Sequence, residues 1–289
     1  MREFGIAACQ TAWAAGDNLG RMRAEIARVK ARFPWVEMVI FGELVACGAD
    51  SENAVPLPGP IEDAFCHMAR EHGVWLLPGS VYESESGRVY NTAHVIDPAG
   101  RVVDRYRKIY PFAPYEAGVA GGERFVVFDV PQVGRFGVLI CYDGWFPETL
   151  RTLTWLGAEV ILHPVMTNTI DRDVELAIAR ASAAQHQCYI INVNSADASH
   201  GILGYGRSIV VGPDGDVVHQ AGVAHEVIAV RVDLDRVTRS RECGVLGLGQ
   251  PLKSFRDTPI VFPPYEQGRD RPAHLDALGP LTMPTVART

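Results

Sequence analysis

Apolar positions along the chain fall into two patterns. Short unbroken apolar runs suit strands, and longer stretches with apolar residues at helical spacing suit amphipathic helices. Residues 4–10 form a run fit for a buried strand, and residues 18–33 carry many charges on an amphipathic helix. Residues 37–41 are again strand-like, residues 61–72 read as a helix that Gly73 closes, and residues 74–81 and 91–96 read as strands. The order then repeats: a strand at 135–141, a helix at about 146–156, a strand at 159–163, a helix at about 174–186 and a strand at 189–195. Residues 138–140, 160–162 and 189–193 are continuously apolar, as strands covered on both faces should be.

An internal echo supports two matching halves. Residues 92–104 contain Pro98-Ala99-Gly100 between two β-rich runs, and residues 207–219 contain Pro213-Asp214-Gly215 in the same setting. Both predict tight hairpins. Two α/β halves, each with a mixed sheet, would pack sheet on sheet with helices outside. This predicts one unit over residues 1–256. Beyond about Phe255, Pro259, Pro263, Pro264, Pro272, Pro280 and Pro284 punctuate a stretch of little periodicity. Residues 257–289 are therefore expected to form an extended tail, either disordered or wrapped over a partner subunit.

Composition narrows the function classes. Of 289 residues, 47% are apolar and 21% charged, the proportions of an ordinary globular chain. The formal net charge is −7, with acidic and basic residues well mixed, so neither nucleic acid nor an anionic membrane surface is an expected partner. No run approaches the roughly 20 apolar residues of a membrane span. The first residues lack the apolar core of a signal peptide, so export is not expected. The six cysteines, Cys9, Cys47, Cys66, Cys141, Cys188 and Cys243, lie far apart with no CxxC pair. That spacing suggests neither a zinc site nor a disulfide framework, and it fits a reducing cytoplasm.

One cysteine stands in a distinctive setting. In residues 138–148, an apolar strand delivers Cys141 to its end, a turn containing Gly144 follows, and Pro147 can start a helix. A strand-to-helix elbow exposes a nucleophile close to backbone N–H groups and a helix N-terminus. A cysteine in such a place can equally be structural. Two other strand ends bear on the choice. Glu43 ends the run 38–43, where a buried carboxylate is costly unless paired or used, and desolvation would suit it to general-base work. Lys108 follows the first hairpin and can place a fixed cation beside a developing oxyanion, although a lysine there can also be a solvated surface residue. Amide cleavage through a thioester needs these three group types. His163 and His186 lie in the same half as Cys141, and they read as satisfied structural histidines.

These motifs resemble those of the nitrilase superfamily, the carbon–nitrogen hydrolases. Phe41-Gly42-Glu43-Leu44, Arg107-Lys108 and Cys141-Tyr142-Asp143-Gly144-Trp145-Phe146-Pro147-Glu148 occur in that family's order, and Gly206-Arg207-Ser208 resembles its later hairpin. The likeness runs from Phe4 to about Phe255. It implies an αββα sandwich assembled as homodimers or larger oligomers, with no metal or organic cofactor. It also implies Cys141 as nucleophile, Glu43 as base, and Lys108 with the Tyr142 N–H as oxyanion holders. Glu116 matches a second glutamate that orients the lysine or the substrate nitrogen.

Gly42 departs from a common proline and Tyr110 from a common histidine. The turn after Cys141 looks more like that of amidases than that of true nitrilases. The expected substrate is a small amide. An N-carbamoyl compound, a nitrile, acyl transfer to an amine and a silent binding scaffold are the alternatives. Tyr115, Tyr142, Trp145, Met166 and Thr167 lie in segments expected to line the mouth, where aromatic rings would limit space or stack on a planar group.

Overall fold

The computed structural model describes residues 2–14, 16–197, 205–266 and 272–282. Its first sheet is built on three parallel strands, β1 (Glu3–Gln10), β2 (Met38–Phe41) and β3 (Trp75–Leu77), in register at Ile6, Met38 and Trp75. Antiparallel strands extend both sides. β14 (Glu226–Asp233) pairs with β1, and β5 (Arg88–Ile96) pairs with β3. Beyond β5 lie β4 (Ser80–Glu85), β6 (Val102–Arg107) and the short β7 (Val119–Ala120).

The second sheet repeats this plan. β9 (Gly134–Val138), β10 (Val160–Pro164) and β11 (Tyr189–Val193) are parallel, with β8 (Val126–Val130) antiparallel on one side. On the other side run β12 (Ile209–Val211) and β13 (Val217–Gln220), both antiparallel to their neighbours. The expected echo is thus a structural repeat: β1, β2, β3, β5 and β6 correspond to β9, β10, β11, β12 and β13.

Alternation along the strands sorts the core into layers. On β1 and β2, Ile6, Ala8, Met38 and Ile40 share a core with Val138, Ile140, Leu162 and Ile191 of the other sheet. Their neighbours Ala7, Cys9, Val39 and Phe41 turn the other way, toward Met22, Ile26 and Val29 of α1 (Leu19–Arg32) and Phe65 and Met68 of α2 (Pro60–His72). The two-residue period of a strand leaves no other division once both faces are covered. Each fully buried Val, Ile, Phe or Met side chain among them contributes about 1.5–3 kcal/mol relative to exposure. α3 (Pro147–Trp155) and α4 (Arg172–His186) cover the second sheet through Leu150, Leu153, Leu176 and Ala183. Two sheets between two helical layers make the αββα sandwich.

The strand expected over 74–81 is broken. β3 stops before Pro78, and Gly79 adopts φ +80° with the Gly42 carbonyl only 1.8 Å from where a Cβ would stand. The chain therefore crosses over, and β4 pairs with β5 instead of extending β3. The edge strands β8 and β14 and helix α5 (Leu234–Cys243) were not anticipated.

The polar stretch near the end is partly helical, with α6 (Pro251–Asp257) and the short α7 (Ala273–Asp276). Phe255 and Tyr265 tie this stretch to α3 of the same chain. Phe255 meets Trp155 edge-on at 5.9 Å and stacks on Phe262 at 5.6 Å, and the Tyr265 hydroxyl donates to Glu148 Oε1 at 3.3 Å. Among the described residues no helix is long and apolar enough to cross a membrane.

Candidate active site

Ends of strands from both sheets converge at one place. Glu43 lies two residues beyond β2, and its N–H donates to the Val165 carbonyl just past β10, at 3.2 Å. Lys108 follows β6. Its N–H donates to the Asn91 carbonyl at 2.8 Å and its own carbonyl accepts from Gly122 at 2.8 Å, so the backbone is clamped on both sides. Cys141 begins a 3₁₀ turn, Cys141–Trp145, between β9 and α3. Its φ of +45° lies in the left-handed region, where a side chain with a Cβ is strained. Such an elbow turns the thiol out of the strand while the turn's first N–H groups stay free of intrahelical acceptors.

The side chains form one cluster around Lys108, which is 1% exposed. Its Nζ donates to Glu43 Oε1 at 2.9 Å and to Glu116 Oε2 at 2.7 Å. Asn91 Nδ2 donates to both carboxylates, at 2.8 Å to Glu43 and 3.2 Å to Glu116. Glu116 also accepts from the Tyr82 hydroxyl at 3.2 Å and the Phe112 N–H at 2.5 Å. The Cys141 thiol stands beside this cluster, where the charges of both Glu43 and Lys108 act on it. Glu43, Lys108, Cys141 and Glu116 are therefore brought together.

Burial and neighbouring charge divide the two carboxylates. Desolvation raises the pKa of Glu43 and outweighs the pull of Lys108, with the negative charge of Glu116 adding to the rise. For Glu116, Lys108 and the several donors overcome desolvation and hold the pKa below the usual carboxylate value. Burial opposes the charge on Lys108, but Glu43, Cys141 and Glu116 more than offset it and keep the ammonium protonated well above the ordinary lysine range. Burial and the Glu43 charge raise the Cys141 thiol well above 9. The resting site thus holds a thiol beside a carboxylate that can take its proton, with a fixed cation adjacent. Two carboxylates whose affinities for a proton are pushed apart mark an acid–base assignment. Cys188, by contrast, is pushed up to about 12 by burial, with no carboxylate among the groups acting on it.

Asp143 links the two sides of the site. Fully buried, it accepts from the Tyr106 hydroxyl at 2.7 Å, the Tyr110 N–H at 2.8 Å and the Ile140 N–H at 3.1 Å. Burial pushes its pKa up to about 6 despite these donors. The loop after Lys108 is thereby fastened to the elbow that carries Cys141.

The residues expected at the mouth divide. Tyr142 and Met166 adjoin Cys141, and Tyr142 packs against Phe112 at 4.9 Å, Phe146 at 5.1 Å and Trp145 at 6.1 Å. Tyr115, 55% exposed, stacks on Phe112 at 4.8 Å beside Glu116. Thr167 is buried, and Asn194 holds its N–H at 3.2 Å and its carbonyl at 2.7 Å.

Sequence reasoning missed Asn91, Tyr82, Asp143 and Tyr205. Tyr205 is buried, and burial and the Glu43 charge push its hydroxyl up to about 12. His163 was passed over as structural, yet its Nε2 meets the Cys141 carbonyl at 2.9 Å. His186 is a structural histidine, held by the Ser182 carbonyl at 2.8 Å and lowered to about 4 by burial. A charged cleft of about 710 Å³ lies to one side, lined by Glu83, Arg105, Arg107 and Arg124, with none of the Glu43 cluster in its wall. Its arginines are engaged with Glu83, Glu62 and Asp104. Among the described residues no group of three or more His, Cys, Asp or Glu side chains is placed to hold a metal.

The profile of the carbon-nitrogen hydrolase family matches residues 5–242. The chain belongs to that family. It is an enzyme acting on carbon–nitrogen bonds other than peptide bonds, as the motif resemblance implied. This hydrolase is 31% identical over 202 residues to omega-amidase NIT2-B of Xenopus laevis, covering 66% of this chain and 73% of that one. It is 29% identical over 233 residues to a formamidase of Bacillus cereus (strain AH820), covering 76% and 70%. Saccharomyces cerevisiae Nit3, a member of branch 10 of the nitrilase superfamily, shares the fold with a TM-score of 0.77 at 25% identity, covering 83% of this chain and 94% of Nit3. An amidase from Nesterenkonia sp. shares the fold at a TM-score of 0.74 and 23% identity, covering 83% and 94%.

Proposed function

We propose that this hydrolase is a cysteine amidase that cleaves a small amide to a carboxylic acid and ammonia. The observation that carries the reading is the buried cluster in which Lys108 bridges Glu43 and Glu116 beside the Cys141 thiol, on which the Glu43 and Lys108 charges both act. The omega-amidase and formamidase names of its relatives support the substrate class. Glu43 takes the thiol proton as Cys141 Sγ attacks the amide carbon, and the carbonyl π pair moves onto oxygen. Lys108 Nζ and the Tyr142 N–H stabilise that oxyanion. The oxyanion collapses and expels the nitrogen, which leaves as ammonia with the proton from Glu43. A thioester remains. Glu43 then takes a proton from water as the water oxygen adds to the thioester carbon. Collapse expels the Cys141 sulfur, which regains a proton from Glu43, and the acid departs.

Glu116 anchors Lys108 through a second ion pair, so the ammonium has one fixed position. The rings of Tyr142, Trp145 and Tyr115 form an aromatic rim suited to a small planar group. Exposed Trp155, Ile170 and Val174, on and just before the helices over the second sheet, support a homo-oligomer.

Purified enzyme incubated with small amides, N-carbamoyl compounds and nitriles, with Cys141→Ser as the blank, tests the reading through ammonia release. Release from small amides that Cys141→Ser abolishes and Cys188→Ser retains is the expected result. Release confined to nitriles or carbamoyl compounds, or unchanged in Cys141→Ser, contradicts it.

A further inference from the structure

A second polar network lies behind the nucleophile, on the second sheet. β10 and β11 pair His163 with Asn192, and the Leu139 N–H donates to the Leu162 carbonyl, which brings the elbow alongside β10. His163 Nε2 meets the Cys141 carbonyl at 2.9 Å, and Asn192 Nδ2 meets His163 Nδ1 at 3.2 Å. Asn192 Oδ1 faces Arg172 Nη2 at 2.9 Å. Arg172 is itself buried and fixed, its Nη1 on Glu175 Oε2 at 2.5 Å and its Nη2 on the Arg207 carbonyl at 2.7 Å.

Chemistry fixes every proton in this chain. A guanidinium only donates, so the Asn192 atom facing it is the oxygen, and the amide NH₂ faces His163. His163 Nδ1 must then accept, which leaves the ring proton on Nε2, aimed at the Cys141 carbonyl. Burial lowers the His163 pKa and keeps the ring neutral in this tautomer. The ring packs closely over Gly144, in space that a side chain there would fill: a Cβ on Gly144 would stand only 2.5 Å from His163 Cε1.

The Cys141 carbonyl and the Tyr142 N–H belong to one planar trans peptide unit and point in opposite directions. Pinning the carbonyl therefore aims the N–H. We propose that His163 is a positioning residue, which holds the Cys141 carbonyl so that the Tyr142 N–H points away from β10 as an oxyanion donor. The inference rests on the amidase reading of the elbow and adds a residue specific to this step. His163 touches neither substrate nor thiol in this role. It keeps the strained Cys141 backbone from relaxing into a conformation that turns the donor aside.

The test separates steps that need an oxyanion donor from steps that need only the thiol. Acetylation of Cys141 by p-nitrophenyl acetate passes through an oxyanion, whereas alkylation by iodoacetamide displaces iodide without forming one. His163→Gln places an amide N–H near the Nε2 position, and His163→Asn keeps a polar partner for Asn192 but falls short of the Cys141 carbonyl. In His163→Asn, acetylation and amide kcat should fall on the order of tenfold to a hundredfold, somewhat less than for outright loss of an oxyanion donor. KM and the alkylation rate should hold. His163→Gln should restore acetylation.

Three results overturn the proposal: equal falls in acetylation and alkylation in His163→Asn, wild-type acetylation by that variant, or an equal loss in His163→Gln. If the wild type releases no ammonia from amides but the ester shows the expected pattern, the amidase reading fails and the positioning role stands. If wild-type Cys141 is alkylated yet never acetylated, the positioning role fails with the oxyanion site.

Discussion

The two sheets share one plan and put different chemistry at equivalent strand ends. Beyond β2, the middle parallel strand of the first sheet, stands Glu43; beyond β10, its counterpart, stands Val165, and a backbone hydrogen bond joins the two. The first sheet contributes charges: Glu43 and Glu116 both contact Lys108, with Asn91 shared between the carboxylates. The second contributes the thiol and, behind it, a relay that ends in a neutral imidazole. The charged side can move protons because its groups differ in proton affinity. The relay cannot, because Arg172 fixes each hydrogen bond along it, so it can only set geometry. A duplicated scaffold thus supplies precise placement, and a few unmatched end residues supply the reaction.

Removing the shared cation should break this division most strongly. Lys108→Ala leaves Glu43 and Glu116 facing each other in a buried site, so one must take up a proton and the oxyanion loses its charged partner. A fall in kcat of at least about a thousandfold is expected, with a loss of stability on the order of 3 kcal/mol as a buried ion pair is broken. Single-turnover kinetics and urea unfolding measure the two effects. Near wild-type turnover would remove Lys108 from the mechanism and leave it a purely structural cation.

A smaller effect sharpens the contrast between the sides. Glu43 must be ionised to accept the thiol proton, and burial raises its pKa above the usual 4.5. The value of kcat/KM should therefore fall as pH drops through a midpoint above 4.5. The Glu116 charge contributes to that rise, so Glu116→Gln should move the midpoint downward. His163 acts through its position and transfers no proton, and burial lowers its pKa, so the acid limb of His163→Gln should coincide with that of the wild type. Acid limbs recorded for the three proteins decide the point, and an upward shift in Glu116→Gln would contradict the charge coupling.

Much of this was legible in the sequence because burial on two faces writes itself as unbroken apolar runs. β9, β10 and β11 could be placed for that reason. A carboxylate or a cysteine closing such a run is chemically conspicuous, which made Glu43 and Cys141 visible, whereas Lys108 follows a strand of mixed polarity and stood out through the Arg107-Lys108 motif. The remainder depended on long-range pairing. β14 alternates in burial along an outer strand, and its partner β1 lies at the opposite end of the chain. The Pro78-Gly79 break needed knowledge of the Gly42 carbonyl packed against it. Asn91 and Tyr82 are neutral polar residues on strands, and nothing local reveals that Glu116, in a distant loop, is their partner. His163 read as an ordinary structural histidine because its contact with Cys141 exists only through the pairing of β9 with β10.

The most direct measurement is the mass of the 136–151 tryptic peptide, which contains Cys141, after acid quenching of enzyme mixed with a small amide that it turns over. Accumulation of the acyl mass on Cys141 during turnover, and its decay at the rate of acid formation once substrate is spent, is the expected result. Acid formation in which the peptide stays unmodified at every quench time, or carries the acyl group on a residue other than Cys141, would contradict a thioester route through this cysteine.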